Sequence, residues 1–294
     1  MNMEKTMKIV VPVEQPHPLR TKMPDLGAQQ NRSFLFVPGS QPARFDKALG
    51  SGADAIIVDL EDAVEPGAKA DARHAVAQWL SPDRPVLLRI NANHSPWFTE
   101  DAQLARLRGI AGIVLPKTES ASDVTALVSL TKAKIPVFPL IETARGMWNA
   151  MEIAKAPFVH QLMFGTLDFI ADMGMESDGV ELDPFRARLV MISRVAGIAA
   201  PVDGVTPGID DPERLAAETR NGKRRGFGGK LCIHPKQVPI VNECYAPTEA
   251  EVAWAKRVLD ASDQANGAAI SIDGKMVDRP VVLRAQRVVD WARA

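Results

Sequence analysis

The sequence predicts an α/β fold: a closed (β/α)8 TIM barrel carrying a C-terminal helix–hairpin–helix appendage. Three observations lead there. Eight short β-branched or aromatic runs recur over residues 33–233, and their starts fall 21 to 40 residues apart, the length that a strand, a helix and two loops need. Several runs are apolar on both faces, as parallel strands covered by helices are. Helical patterns fill most of the intervals, and eight such units in about 200 residues favour closure over an open sheet.

Taken in order, residues 1–31 are an extension in which Pro12, Pro16, Pro18 and Pro24 oppose regular structure. The barrel spans residues 32–243. Its strands are SFLFV (33–37), DAIIVDL (54–60), PVLLRI (85–90), GIVLP (112–116), PVFPLI (136–141), QLMFG (161–165), PVDGV (201–205) and GKLCI (229–233). Ser40 is placed to cap a helix beginning QPARFDKAL, with Pro42 in its first turn. A helix is expected over SASDVTALVSL, and a long one over 184–199 after the loop MGMESDGVELDPF. The appendage spans 244–294. Thr248 and Glu251 form a capping box for a helix ending near Asn266, with Gly267 as its stop. SIDGKMV reads as a hairpin around Asp273–Gly274, and Pro280 opens the last helix.

Composition narrows the function classes. The chain has 294 residues, 46% of them hydrophobic, with 35 basic and 36 acidic residues and a net charge of −1. No global field is available to hold nucleic acid or an anionic membrane. Two cysteines, Cys232 and Cys244, exclude a disulfide framework, and Cys232 reads as a buried reduced thiol. The longest mainly apolar stretch, Leu189–Val202, is too short to span a bilayer, and the N-terminus lacks a signal-peptide core. A reducing cytoplasm is the expected setting.

Barrel chemistry sits at the C-terminal strand ends. Those positions hold Asp59, Glu61 and Asp62, Arg89 and Asn91, Lys117, Glu142, Asp168 and His234. Glu142 and Asp168 come from successive units, so they converge. Two carboxylates with water in the other positions suit Mg2+, with Mn2+ as the alternative, and the lack of a His/Cys cluster argues against Zn2+. Paired structural roles remain open: Glu142 with Arg145 or Arg89, and Asp168 as a cap. Arg89 suits a carboxylate or a thioester oxygen that becomes an enolate, or else a salt bridge to Asp59 or Glu61. The DLED cluster (59–62) orients Arg89, holds metal-bound water, or does both. Lys69 is expected to pair with Glu65, His234 to be structural, and Lys223–Arg224–Arg225 to form a solvated helix face.

RSFLFVPGS, DLEDAV with Lys69 and Arg73 following, LLRIN, LPKTES, IETARG, FGTLDF, GFGGKLCIHPKQV and DGKMVDRP occur in this order. Together they resemble the citrate lyase β-subunit-like branch of the HpcH/HpaI aldolase superfamily, over residues 32–294. The resemblance implies Mg2+ on Glu142 and Asp168 and a substrate contact from Arg89; Glu142, Asp59 and Glu61 are the other residues expected to bind substrate. It implies that Asp278 enters the site of a neighbouring subunit in a trimer or hexamer. It also implies coenzyme A near the first βα turn, with Arg44 or Lys47 on its phosphates. The expected reaction is reversible cleavage of a 3-hydroxyacyl-CoA, such as malyl-, citramalyl- or citryl-CoA, to acetyl-CoA and a 2-oxo acid. In it Arg89 stabilises the thioester oxygen and Asp278 moves the proton. Two rivals stay open: an aldolase acting on a free hydroxy-oxo acid, and a carrier-dependent citrate lyase β-type subunit that needs partner proteins.

Overall fold

The computed structural model describes residues 31–264, 270–272 and 274–293. The extension before Asn31, Gly267 and Asp273 lie outside the described residues.

The eight expected runs all form strands: β1 (Ser33–Pro38), β2 (Ala55–Asp59), β3 (Val86–Arg89), β4 (Ile110–Leu115), β5 (Val137–Ile141), β6 (Gln161–Phe164), β7 (Ala199–Asp203) and β8 (Gly229–Cys232). They pair in parallel, each with its sequence neighbour, and β8 pairs with β1 to close the barrel. Between them run α1 (Phe45–Leu49), α2 (Lys69–Trp79), α3 (Phe98–Gln103), α4 (Ala121–Thr131), α5 (Ala144–Ala154), α6 (Thr166–Met173), α7 (Asp183–Ala196), α8 (Pro212–Arg225) and α9 (Gln237–Tyr245). The interval between β6 and β7 is the widest because it carries two helices. The first, α6, is a short element absent from the sequence reading.

Strand alternation divides the core into two layers. Phe34, Ile57, Leu87, Val114, Phe138, Leu140, Met163, Val202 and Leu231 fill the barrel lumen. Their neighbours Leu35, Ile56, Val58, Leu88, Ile113, Leu115, Leu162 and Cys232 pack outward against the helices. Cys232 is fully buried, and burial pushes its thiol up to about 12.

Local signals mostly hold. Ser120 and Asp123 make a reciprocal capping box on α4. Thr248 and Glu251 do the same for α10 (Glu249–Gln264). The Ser40 cap is not formed. Pro42 opens a 3-10 turn instead, Gln41 stands at its N-cap, and no side chain caps it. Lys223 is not solvated: its ammonium donates to the carbonyls of Cys244 and Ala246 and ties α8 to the end of α9. Arg225 pairs with Asp183 at 2.6 Å. Both carry their charge to a neighbouring element, a use that a basic run in sequence does not reveal.

The appendage comprises α10, an antiparallel pair β9 (Ile270–Ile272) and β10 (Lys275–Val277), and α11 (Arg279–Arg293). It has its own small core of Ala255, Val258, Val277, Ala285 and Val289. Trp291 stacks on Tyr245 of α9, with ring centroids 5.7 Å apart, and so joins the appendage to the barrel. No helix among the described residues is long and apolar enough to cross a membrane.

Candidate active site

The parity that places Ile57, Leu87 and Leu140 in the lumen sends Asp59, Arg89 and Glu142 inward two residues later. All three line one cavity of about 400 Å3 at the C-terminal mouth of the barrel. Asp62, Ala63, Gly165, Thr166, Leu167 and Asp168 line it with them, beside an apolar set including Phe36, Pro38, Val205, Leu231 and Ile233.

Arg89 lies at the centre of the charge. Its Nε and Nη2 donate to the two oxygens of Asp59, each at 2.7 Å, and its Nη1 stands 3.1 Å from Glu61. The guanidinium also lies over the ring of Phe36, 4.7 Å from its centre. Burial opposes its charge, but Asp59, Glu61 and Asp62 outweigh that and hold it above the ordinary arginine value. Both salt bridges that the sequence left open are therefore made. Asp59 is spoken for: besides Arg89 it accepts the backbone N–H groups of Glu61 and Ala63. It shapes the loop and fixes the arginine.

Glu142 is 1% exposed, and its Oε1 accepts the backbone N–H of Lys117 at 2.6 Å. Lys117 makes that bond from a left-handed backbone with φ of 47°, a conformation that costs a non-glycine residue energy. Its ammonium reaches Glu61 at 2.7 Å. One strained residue thus holds two acidic groups at once. Arg145, the other candidate partner for Glu142, lies instead 3.7 Å from Glu119. Gly165 leaves the room that Glu142 occupies: a Cβ there would stand 2.5 Å from Glu142 Oε2 and 2.6 Å from its Cβ.

Asp168 sits in the first turn of α6, exposed at the cavity wall. It makes no capping bond, and no hydrogen bond or ion pair engages it among the described residues. Burial, then Glu61 and Asp168, push the Glu142 carboxyl well above its usual range; Arg89 and the Lys117 N–H only partly offset them.

These features fit a hard divalent cation. The donor set is all oxygen, and the negative charge around Glu142 exceeds what the side chains neutralise. Thr166 Oγ1, on the same wall, is buried without a hydrogen-bond partner. Glu61 Oε2 is likewise buried and makes no well-directed hydrogen bond, despite lying near Arg89. Among the described residues no group of three or more His, Cys, Asp or Glu side chains is arranged around a metal position. A pair of carboxylates leaves the remaining positions to water and substrate.

The site rests on a buried network that the sequence reading did not identify. Among the described residues Lys69 forms no ion pair with an acid. Its ammonium donates to the carbonyls of Leu60 and Glu61 and to Asn91 Oδ1, at 2.7–2.8 Å. Burial pulls its pKa down. Asn91 continues to Asp101 and the Leu60 carbonyl, and Arg73 pairs with Asp101 and Glu100. The loop bearing Glu61 and Asp62 is thereby fixed to the loop after β3. The spacing of Lys69 and Arg73 on α2 was the available signal; their target, a set of backbone carbonyls, carries no sequence mark. His234 accepts a bond from its own loop at Lys236 N and does not line the cavity.

Two groups of expected site residues lie apart. Arg44 and Lys47 are exposed on the first βα connection, with no ion pair among the described residues. Asp278 precedes α11, where its Oδ1 accepts the Val281 N–H at 3.4 Å, and it is not part of the cavity of its own chain.

Known proteins match nearly the whole chain. The HpcH/HpaI aldolase/citrate lyase family matches residues 32–235, and the family of TIM-barrel C–C bond lyases matches residues 194–294. The citrate lyase subunit beta-like protein of Deinococcus radiodurans is 36% identical over 275 residues, 88% of this chain and 96% of its own. The (3S)-malyl-CoA thioesterase of Cereibacter sphaeroides is 34% identical, over 90% of this chain and 95% of its own. The crystal structure of CitE from Mycobacterium tuberculosis with magnesium, acetoacetate and coenzyme A superposes with a TM-score of 0.80 at 34% identity. It covers 91% of this chain and all of that one. With its barrel closed, its carboxylates and arginine gathered at the rim, and these matches spanning nearly the whole described chain, the protein belongs to the HpcH/HpaI aldolase/citrate lyase family.

Proposed function

We propose that this chain is a Mg2+-dependent lyase that cleaves, or forms, a 3-hydroxyacyl-CoA, giving acetyl-CoA and a 2-oxo acid. The observation that carries this reading is the meeting of Glu142, Asp168 and Arg89 in one cavity of a chain from this family. The magnesium and coenzyme A bound by the Mycobacterium tuberculosis relative support it.

Glu142 and Asp168 would hold the cation, with Mn2+ able to replace it. When bound, it supplies the positive charge that lets a substrate hydroxyl give up its proton. Arg89, fixed by Asp59 and Glu61, presents its guanidinium to the thioester oxygen as negative charge develops there. Cleavage of the carbon–carbon bond leaves the enolate of acetyl-CoA and a 2-oxo acid. Asp278 from a neighbouring copy, in a trimer or hexamer, would deliver the proton to the enolate carbon. Arg44 and Lys47, exposed and uncommitted, are suited to the phosphates of coenzyme A.

The test is a screen of purified protein with Mg2+ against malyl-, citramalyl- and citryl-CoA. It scores 2-oxo acid, acetyl-CoA and free thiol separately. Release of 2-oxo acid with acetyl-CoA is expected. Free thiol without 2-oxo acid would indicate thioester hydrolysis, the activity named for the Cereibacter relative. Cleavage of free hydroxy-oxo acids alone, or turnover only with a carrier protein, would overturn the reading in favour of its rivals.

Two substitutions probe the assignments. Asp278→Asn should remove turnover and leave Mg2+ affinity intact; full activity would discard its role. Gly165→Ala should weaken Mg2+ binding roughly tenfold by displacing the Glu142 carboxylate, as read by calorimetry. Unchanged affinity would show that Glu142 does not bind metal in this position.

A further inference from the structure

The cavity is polar on one side only, and the division follows the barrel. Its charged lining residues come from β2, β3, the loops after β2 and β5, and the first turn of α6: Asp59, Arg89, Asp62, Glu142 and Asp168. The sector formed by β7, β8 and β1 contributes Val205, Leu231, Ile233, Phe36 and Pro38. No charge lines the cavity from that sector among the described residues.

Strand parity is the cause. Val202 and Leu231 face the lumen, so the charged residues beside them, Asp203 and Lys230, face outward. Each is committed there. Asp203 pairs with Arg186 at 2.9 Å, and the Lys230 ammonium donates to the Gly204 carbonyl at 2.7 Å. The charged residues of the loops after β7 and β8 are also committed: Asp210 pairs with Lys236 and Asp211 caps α8. Gln237, 1% exposed, accepts the N–H groups of Ile233 and His234 and donates to the Thr206 carbonyl. It cross-links the loops after β7 and β8.

Among the described residues one cation lines the cavity, Arg89, and it already faces Asp59 and Glu61. A substrate carboxylate beside the reacting hydroxyl can be met on the Glu142–Asp168 side. A second free carboxylate would have to lie against the apolar sector or against acids, and burying an unpaired charge is costly. Resting on the lyase reading above, we infer that this site selects a 3-hydroxyacyl thioester whose carbinol carbon bears hydrogen or a small alkyl group, and rejects one bearing a second carboxylate. Val205, Leu231 and Ile233 set that specificity.

The three thioesters differ at this substituent: hydrogen in malyl-CoA, methyl in citramalyl-CoA and carboxymethyl in citryl-CoA. With Mg2+ present, kcat/KM for citryl-CoA should fall below that for citramalyl-CoA by roughly tenfold or more. Ile233, 40% exposed at the rim, tolerates exchange without disturbing the core. Ile233→Arg should raise the citryl-to-citramalyl ratio about tenfold, while the uncharged Ile233→Gln leaves citryl-CoA poor. Citryl-CoA turned over as well as citramalyl-CoA would overturn the inference. So would an unmoved ratio in folded Ile233→Arg. Failure of all three thioesters would instead sink the lyase reading. The wall is then read by calorimetry of the Mg2+-loaded protein with pyruvate and oxaloacetate. Tighter pyruvate supports the inference, and equal or tighter oxaloacetate overturns it.

Discussion

Replacing Arg89 with methionine is expected to cost about 3–5 kcal/mol of folding stability and to lower kcat/KM by a factor on the order of 10^2–10^3. The two losses have one origin. Asp59 and Glu61 are nearly inaccessible to solvent, and the guanidinium pairs with both, whereas Lys117 reaches only Glu61 of the two. Methionine keeps much of the volume and removes the charge. Glu61, whose carboxyl burial already pushes up, then holds its proton more readily in the folded state than in the unfolded chain. With its folded pKa raised, the stability that its protonation contributes is lost as pH rises. The deficit should therefore be larger at neutral pH than near pH 4, the ordinary carboxylate range. Urea unfolding at both pH values measures this. An equal deficit at each would assign the loss to packing over the Phe36 ring and not to charge. Arg89→Lys should recover part of the stability and little of the activity, because an ammonium cannot engage Asp59 in bidentate fashion while facing Glu61.

Glu142→Gln should abolish Mg2+-dependent turnover and yet leave the metal-free protein as stable as the parent or more so at neutral pH. The Glu142 carboxyl is raised by burial, by Glu61 and by Asp168. Between its unfolded value and its raised folded value, the folded state binds the proton more tightly than the unfolded state does. Stability contributed by that proton is present at low pH and is lost as pH climbs through the folded value. The metal-free parent should thus lose up to about 1.4 kcal/mol per pH unit in that window from this group. Glutamine has no such slope. Thermal unfolding across pH, in chelator and in Mg2+, checks both halves. The parent should gain stability from Mg2+ increasingly as pH rises, and the variant should gain none. A variant that still responds to Mg2+ would remove Glu142 from the metal site.

The expected site was legible to different depths. Asp59, Arg89 and Glu142 could be found because two-residue periodicity marks which strand residues face inward and the apolar run marks where the strand ends. Asp168 was found by its place after β6, although α6, which presents it, was not foreseen. An eight-residue helix carries too few turns to show an amphipathic period. Lys69 was misassigned because a buried ammonium bonded to carbonyls and one bonded to Glu65 leave the same letters in the sequence. Lys117 was named for its charge, whereas its larger contribution is a backbone N–H set by a positive φ.

The sequence alone thus determined the barrel, the order of its strands, the acidic and basic groups of the rim and the appendage with its capping box. All of these depend on local periodicity, which is written in the chain. Only the tertiary structure decided how those groups are shared: Asp59 given to Arg89, Lys117 spanning Glu61 and Glu142, Lys69 holding the loop beneath them, and β7, β8 and β1 presenting an uncharged wall. Those pairings join residues that lie 8 to 56 positions apart. Closure of the barrel brings them within bonding distance, and the chemistry of the site follows from that closure.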